Sequence, residues 1–83
     1  MLYTVYILHS VALDQYYIGH SANLEDRLFR HNNSGSKSTK KTNDWKLVYH
    51  EVFDNKGAAA KRELEIKRKK SRKYIEWLIS SVG

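Results

Sequence analysis

Five side chains carry most of the chemistry open to this sequence: Tyr6, Tyr17, Arg27, His31 and Glu63. Leu24, Arg27, Leu28 and His31 stand at i, i+3, i+4 and i+7, which is one face of a helix. A stripe that is half apolar and half guanidinium and imidazole is a poor choice for a core. Tyr17 belongs to a short aromatic and β-branched run that breaks at Gly19, just ahead of that helix. Glu63 shares a later helical stripe with Ala59, Ile66 and Lys70. Each residue has a bland explanation taken singly. A strand Tyr packs with its hydroxyl at the rim, Arg27 is a surface cation, His31 suits a helix C-terminus, and Glu63 pairs with Lys67 one turn on. Together they would form one polar cluster on the inward side of a sheet and two helices, and packing does not explain such a cluster.

The elements that must position them can be read from the pattern. Leu2–Leu8 is dense in β-formers and predicts a strand, with Thr4, Tyr6 and Leu8 on one face and Tyr3, Val5 and Ile7 on the other. His9–Gln15 reads as a polar connector and 16–19 as a second strand, so the two make an antiparallel hairpin with Tyr6 and Tyr17 on one face. The first helix is expected over Asn23–Asn32. Asn23 and Asp26 have capping-box spacing, with Asp in place of Glu. Residues 32–44 (NNSGSKSTKKTND) contain no apolar side chain and read as a loop. Trp45–Phe53 is a third strand, with Leu47, Tyr49, Glu51 and Phe53 on one face. Asp54 or Asn55 caps a second helix over Lys56–Lys70. Ser71 opens a last one whose stripe is Ile75, Leu78, Ile79 and Val82. The order β-β-α-β-α-α gives an α+β domain, a small three-stranded antiparallel sheet flanked by helices.

Bulk properties narrow the class. At 83 residues the chain makes one small domain. It has no cysteine, which excludes disulfides and thiolate metal sites and fits a cytoplasmic setting. Neither a signal peptide nor a membrane span is visible. Net charge is +6, and residues 61–73 hold eight cations against two acids. Residues 37–46 add four lysines against one acid. Such clusters are the electrostatic footprint of a nucleic-acid binder, with a solvated helix face as the bland alternative. Lys37, Lys40 and Lys41 of the loop, and Lys67, Arg68 and Lys70 of the second helix, are the candidate phosphate contacts.

Five separated positions also carry a resemblance. Tyr6 ends a Thr4-Val5-Tyr6 triplet, and Tyr17-Ile18-Gly19 follows. An Arg stands ten residues beyond Tyr17, a His four beyond that, and Glu63 opens a Glu-x-x-Ile-Lys run. The pattern resembles the GIY-YIG nuclease superfamily, specifically its small stand-alone single-domain bacterial members. The likeness runs through the Trp-Lys-Leu-Val-Tyr strand to the Arg-Lys-Tyr-Ile-Glu tail. One departure is that Thr4 stands where the first triplet has Gly. The resemblance implies hydrolysis of a nucleic-acid phosphodiester, most naturally DNA, with one divalent metal, Mg²⁺ or Mn²⁺. By matching positions, Glu63 would be the metal's protein ligand and Arg27 would clamp a non-bridging phosphate oxygen. Tyr6 would be the general base, Tyr17 would orient water or phosphate, and His31 would relay a proton. Tyr49 is open between lining the cleft and packing, and His20 has no role in this scheme. Two other readings compete: a nucleic-acid-binding module that does not cut, and a basic RNA-associated protein, although the aromatic signature of an RNA-recognition motif is missing.

Overall fold

The computed structural model describes residues 1–33 and 42–81. Six elements follow in the expected order: β1 (Tyr3–Ser10), β2 (Gln15–Ser21), α1 (Leu24–Asn33), β3 (Lys46–Phe53), α2 (Lys56–Lys69) and α3 (Arg72–Ser81). The sheet order is β2-β1-β3, and both pairings are antiparallel. The fold is the α+β domain that the sequence predicts.

β1 is the central strand, and its composition shows why. Val5, Tyr6, Ile7 and Leu8 are all buried, so the strand is covered on both faces. On one face Val5 and Ile7 pack with Ala59 and Ile66 of α2 and Leu78 of α3. On the other, Tyr6 and Leu8 pack with Trp45, and Leu24 and Leu28 of α1 lie against them. Arg62 of α2 fastens the first face. Its guanidinium donates to both carboxylate oxygens of Glu51 on β3 at 3.0 and 3.1 Å and to Tyr74 Oη of α3 at 3.2 Å. Tyr49 Oη donates to Glu51 within the same network.

Three local readings change. The β1–β2 connector is shorter than predicted, because the strands run on to Ser10 and Gln15 and leave only Val11–Asp14 outside them. The turn is held from a distance. The Asp44 carboxylate accepts from Ser10 Oγ at 2.6 Å and from the Ala12 N–H at 2.9 Å. Next, the alternation along β3 is interrupted. Ile7 pairs with Tyr49 and Leu8 with Leu47, so Val48 is the extra residue of a bulge. Tyr49 and Phe53 therefore pack on the Val5 side while Leu47 goes to the other. Finally, the capping box is half formed. Asn23 Oδ1 accepts from the Asp26 N–H at 3.0 Å, but Asn23 N–H donates to Ser21 Oγ. The Asp26 side chain, one methylene shorter than Glu, pairs instead with Arg30 at 3.1 Å.

The remaining helix ends obey their local signals. Asn55 Oδ1 accepts from the Ala58 N–H and starts α2, and Ser71 Oγ accepts from the Tyr74 N–H and starts α3. Between them Lys70 takes the left-handed conformation, φ 46°, and its N–H donates to Lys67 O. Among the described residues no helix is long and apolar enough to cross a membrane.

Candidate active site

A polar, open cleft of about 520 Å³ lies where β1, β2, the β2–α1 turn and the N-terminal part of α2 meet. Tyr6, Tyr17, Arg27 and Glu63 all line it, together with Gly19 and His20. His31 does not line it. It stands behind Tyr6, buried, with its Nε2 3.0 Å from Tyr6 Oη. The structure thus brings the five predicted residues to one place, but not to one face of the sheet. Tyr6, Tyr17 and His31 belong to the α1 side, with Tyr17 and His31 ring centres 4.6 Å apart. Glu63 comes from α2, on the Val5 side. The cleft takes its lining from both sides, Tyr6 and Tyr17 from one and His20 and Glu63 from the other.

The strand pairing sets this geometry. Tyr6 is opposite Gly19, and Leu8 is opposite Tyr17. A side chain at Gly19 would occupy the place of the Tyr6 phenol: a Cβ built there meets Tyr6 Oη at 2.7 Å and Tyr6 Cζ at 2.9 Å. Glycine here makes room for the tyrosine of the neighbouring strand. Trp45 backs the cluster, its ring 6.4 Å from that of Tyr17. Asn32 joins Trp45 to α1 through two bonds, donating to Trp45 O at 3.0 Å and accepting from Trp45 N–H at 2.8 Å.

Electrostatics divides the labour. Burial pushes the Tyr6 phenol up to about 12; the nearby Tyr17 and Glu63 add to this, and Arg27 opposes it. Burial, and then the Arg27 charge, push His31 below its ordinary value. At neutral pH Tyr6 therefore keeps its proton and His31 is a neutral imidazole. Tyr6 Oη and His31 Nε2 share a 3.0 Å hydrogen bond whose donor is set by the imidazole tautomer. For Glu63, burial raises the carboxyl, but the hydrogen bonds and charges of Lys67 and His20 outweigh it and hold the group below its usual range. It is ionised at neutral pH.

His20 is the residue that sequence reasoning left without a role. Its Nδ1–H donates to Glu63 Oε1 at 2.6 Å. Alternation contains the signal. His20 faces away from Tyr17 and Gly19, pairs with Val5, and so faces the side that α2 covers. Asp26, Arg30 and Lys56 also line the cleft, and Asp26 and Arg30 pair with each other. Tyr49 lies elsewhere, in the Glu51–Arg62 network. Of the candidate phosphate contacts, Lys67 bonds Glu63 Oε2 at 2.7 Å, whereas Arg68 and Lys70 are exposed on and just after the last turn of α2. Lys37, Lys40 and Lys41 lie outside the described residues.

Among the described residues no three His, Asp or Glu side chains come together to hold an ion. A single ionised carboxylate opening on a polar cleft, with water and phosphate oxygens completing the sphere, fits Mg²⁺ or Mn²⁺. Each Glu63 oxygen bears one hydrogen bond and retains a second lone pair.

A family model described as "GIY-YIG catalytic domain" matches residues 2–75. A UPF0213 protein of Staphylococcus saprophyticus is 46% identical over 63 residues, covering 71% of this chain and 77% of that one. Another, of Clostridium perfringens, is 44% identical over 66 residues, covering 78% and 70%. The solution NMR structure of a UPF0213 protein from Bacillus halodurans superposes with a TM-score of 0.63 at 31% identity, over 100% of this chain and 87% of that one. The paired tyrosines, the Arg–His helix and the Glu63 carboxylate therefore stand inside a matched domain, and the chain belongs to the GIY-YIG catalytic domain family.

Proposed function

We propose that this chain is an endonuclease that hydrolyses DNA phosphodiester bonds with one divalent metal, Mg²⁺ or Mn²⁺, at Glu63. The observation that carries the reading is the arrival of Tyr6, Tyr17, Arg27 and Glu63, from four different elements, on one polar cleft. The family is of nuclease type, which supports hydrolysis and a nucleic-acid substrate.

The chain's own residues then divide as follows. Arg27 presents its fork of donors to a non-bridging phosphate oxygen. Tyr17 orients the attacking water or the phosphate from the floor of the cleft. Tyr6 takes a proton from that water while passing its own to His31 Nε2, so no free phenolate has to form at neutral pH. This explains how a phenol raised to about 12 can serve as a base. Bound at Glu63, the metal supplies charge stabilisation to the phosphate and the leaving oxygen.

The test is cleavage of single-stranded, duplex and branched DNA, and of RNA, by the purified chain with Mg²⁺ or Mn²⁺. Glu63→Ala and Arg27→Ala are the controls. Each should lower the rate by about 10²-fold or more, since each removes a charge aimed at the transition state. Equal cleavage by the parent chain and Glu63→Ala would assign the activity to a contaminant. A second reading, a nucleic-acid-binding module that does not cut, draws on the fact that both Glu63 oxygens are already bonded within the chain. Salt-dependent DNA binding without cleavage under either metal would select it.

A further inference from the structure

The two hydrogen bonds on Glu63 come from very different supports. His20 belongs to β2, its backbone paired with the buried Val5 of the central strand, and its side chain is 24% exposed. The Glu63 side chain is 16% exposed. A ring fixed to the sheet and donating at 2.6 Å leaves Oε1 little freedom. Lys67 reaches Oε2 from one turn along the same helix, on a flexible stem 48% exposed. One contact is anchored, and the other can swing into solvent without disturbing any packed group. An arriving cation also meets the ammonium of Lys67 as a like charge, but meets in His20 a donor that orients the carboxylate.

We propose that His20 is the positioning residue of the Glu63 carboxylate, holding Oε1 toward the sheet, while Lys67 covers Oε2 and is displaced when a divalent cation enters. The inference rests on the metal reading above. It adds to that reading a division of the carboxylate into a fixed oxygen and an exchangeable one. Displaced Lys67 is then free for a phosphate, so one lysine serves the empty and the loaded cleft in turn.

The test is Mn²⁺ titration of the full chain, followed by the electron paramagnetic resonance signal of the free ion, without nucleic acid. His20→Leu keeps the bulk and loses the donor, and should weaken Mn²⁺ binding about tenfold or more, as loss of a partner that orients a metal ligand does. His20→Asn places an amide N–H where Nδ1 stands and should restore binding to within about threefold. A purely structural role for His20 predicts no such rescue. Lys67→Met should tighten binding by about two- to fivefold, the scale of a half-exposed ion pair. Glu63→Gln should abolish it. Amide NMR spectra of each variant check the fold. Should His20→Leu not fold, the ¹⁵N signals of the His20 ring in the parent chain carry the test. They should show the proton on Nδ1 without metal and a changed ring environment in Glu63→Gln. Mn²⁺ binding that needs Glu63 but is unchanged in both His20→Leu and Lys67→Met overturns this inference alone. No Mn²⁺ binding by the parent chain overturns the metal reading and the inference with it.

Discussion

Gly19 shows how one atom's worth of space can govern a site. Tyr6 is 2% exposed and its hydroxyl is tied to His31, so the ring has nowhere to retreat from a methyl group at position 19. Gly19→Ala should cost about 1–3 kcal/mol by overpacking. Because it displaces the phenol, it should also lower cleavage by up to about 10²-fold. Urea denaturation and initial rates measure the two effects, and unchanged rates in a destabilised variant would dissociate Tyr6 from the chemistry. The Tyr6–His31 pair gives a second expectation. His31 must be neutral to accept the proton, and its pKa is lowered by burial and Arg27, so the acid limb of the kcat/KM profile should lie below the ordinary histidine value of about 6.5. His31→Gln should lower the rate and remove that limb. The same shift acts on stability with a definite sign. The unfolded chain binds more protons at His31 than the folded chain, so this contribution is complete above about pH 6.5 and is lost as pH falls through the lowered folded value.

At the scale of elements, Asn32 ties the end of α1 to the residue before β3 with a two-way bond to the Trp45 backbone. It follows His31 directly, and Trp45 packs by Tyr17, so it fixes the back of the cluster. Asn32→Ala should cost about 1–3 kcal/mol, because two backbone groups of a buried Trp lose their partner. It should also lower cleavage about tenfold. Ser71→Ala, which removes the α3 cap remote from the cleft, should cost about 1 kcal/mol and leave cleavage unchanged. Equal effects of the two variants on the rate would show that general softening, not the clamp, is being read. Element types and helix caps were legible in the sequence because period and cap chemistry are local. The β3 bulge was not, since nothing at Val48 marks it and it answers to pairing with β1. The length of the β1–β2 turn was hidden for a similar reason: Asp44, more than thirty positions away, supplies the acceptors that hold it.

For the whole molecule, the candidate site was legible as a set of residues but not as an arrangement. Spacing brought Tyr6, Tyr17, Arg27, His31 and Glu63 together, yet it could not show that they come from both sides of the sheet, because that depends on which face α2 covers. Charge was read least well. The basic run 61–73 is not one free patch: Arg62 is committed to Glu51 and Glu65, Lys67 to Glu63, and Arg72 to Asp14 and Glu76. Cations such as Lys56 at the cleft and Lys46 near the hairpin end, where it pairs with His9, have no acidic partner among the described residues. The two cations separate docking at the cleft from diffuse attraction by the net charge of +6. Phosphate contacts release counterions, so log Kobs for duplex DNA should fall linearly with log salt, each contact adding about 0.9 to the slope. Lys56→Ala should therefore reduce the slope by about 1 and weaken binding uniformly across sequences. Lys46→Ala removes the same formal charge at the far end of the sheet and should leave the slope unchanged. Fluorescence anisotropy between about 50 and 200 mM salt, the range over which such contacts are resolved, measures both. Equal loss of slope in the two variants would mean that DNA is held by the overall field and that the cleft does not set its position.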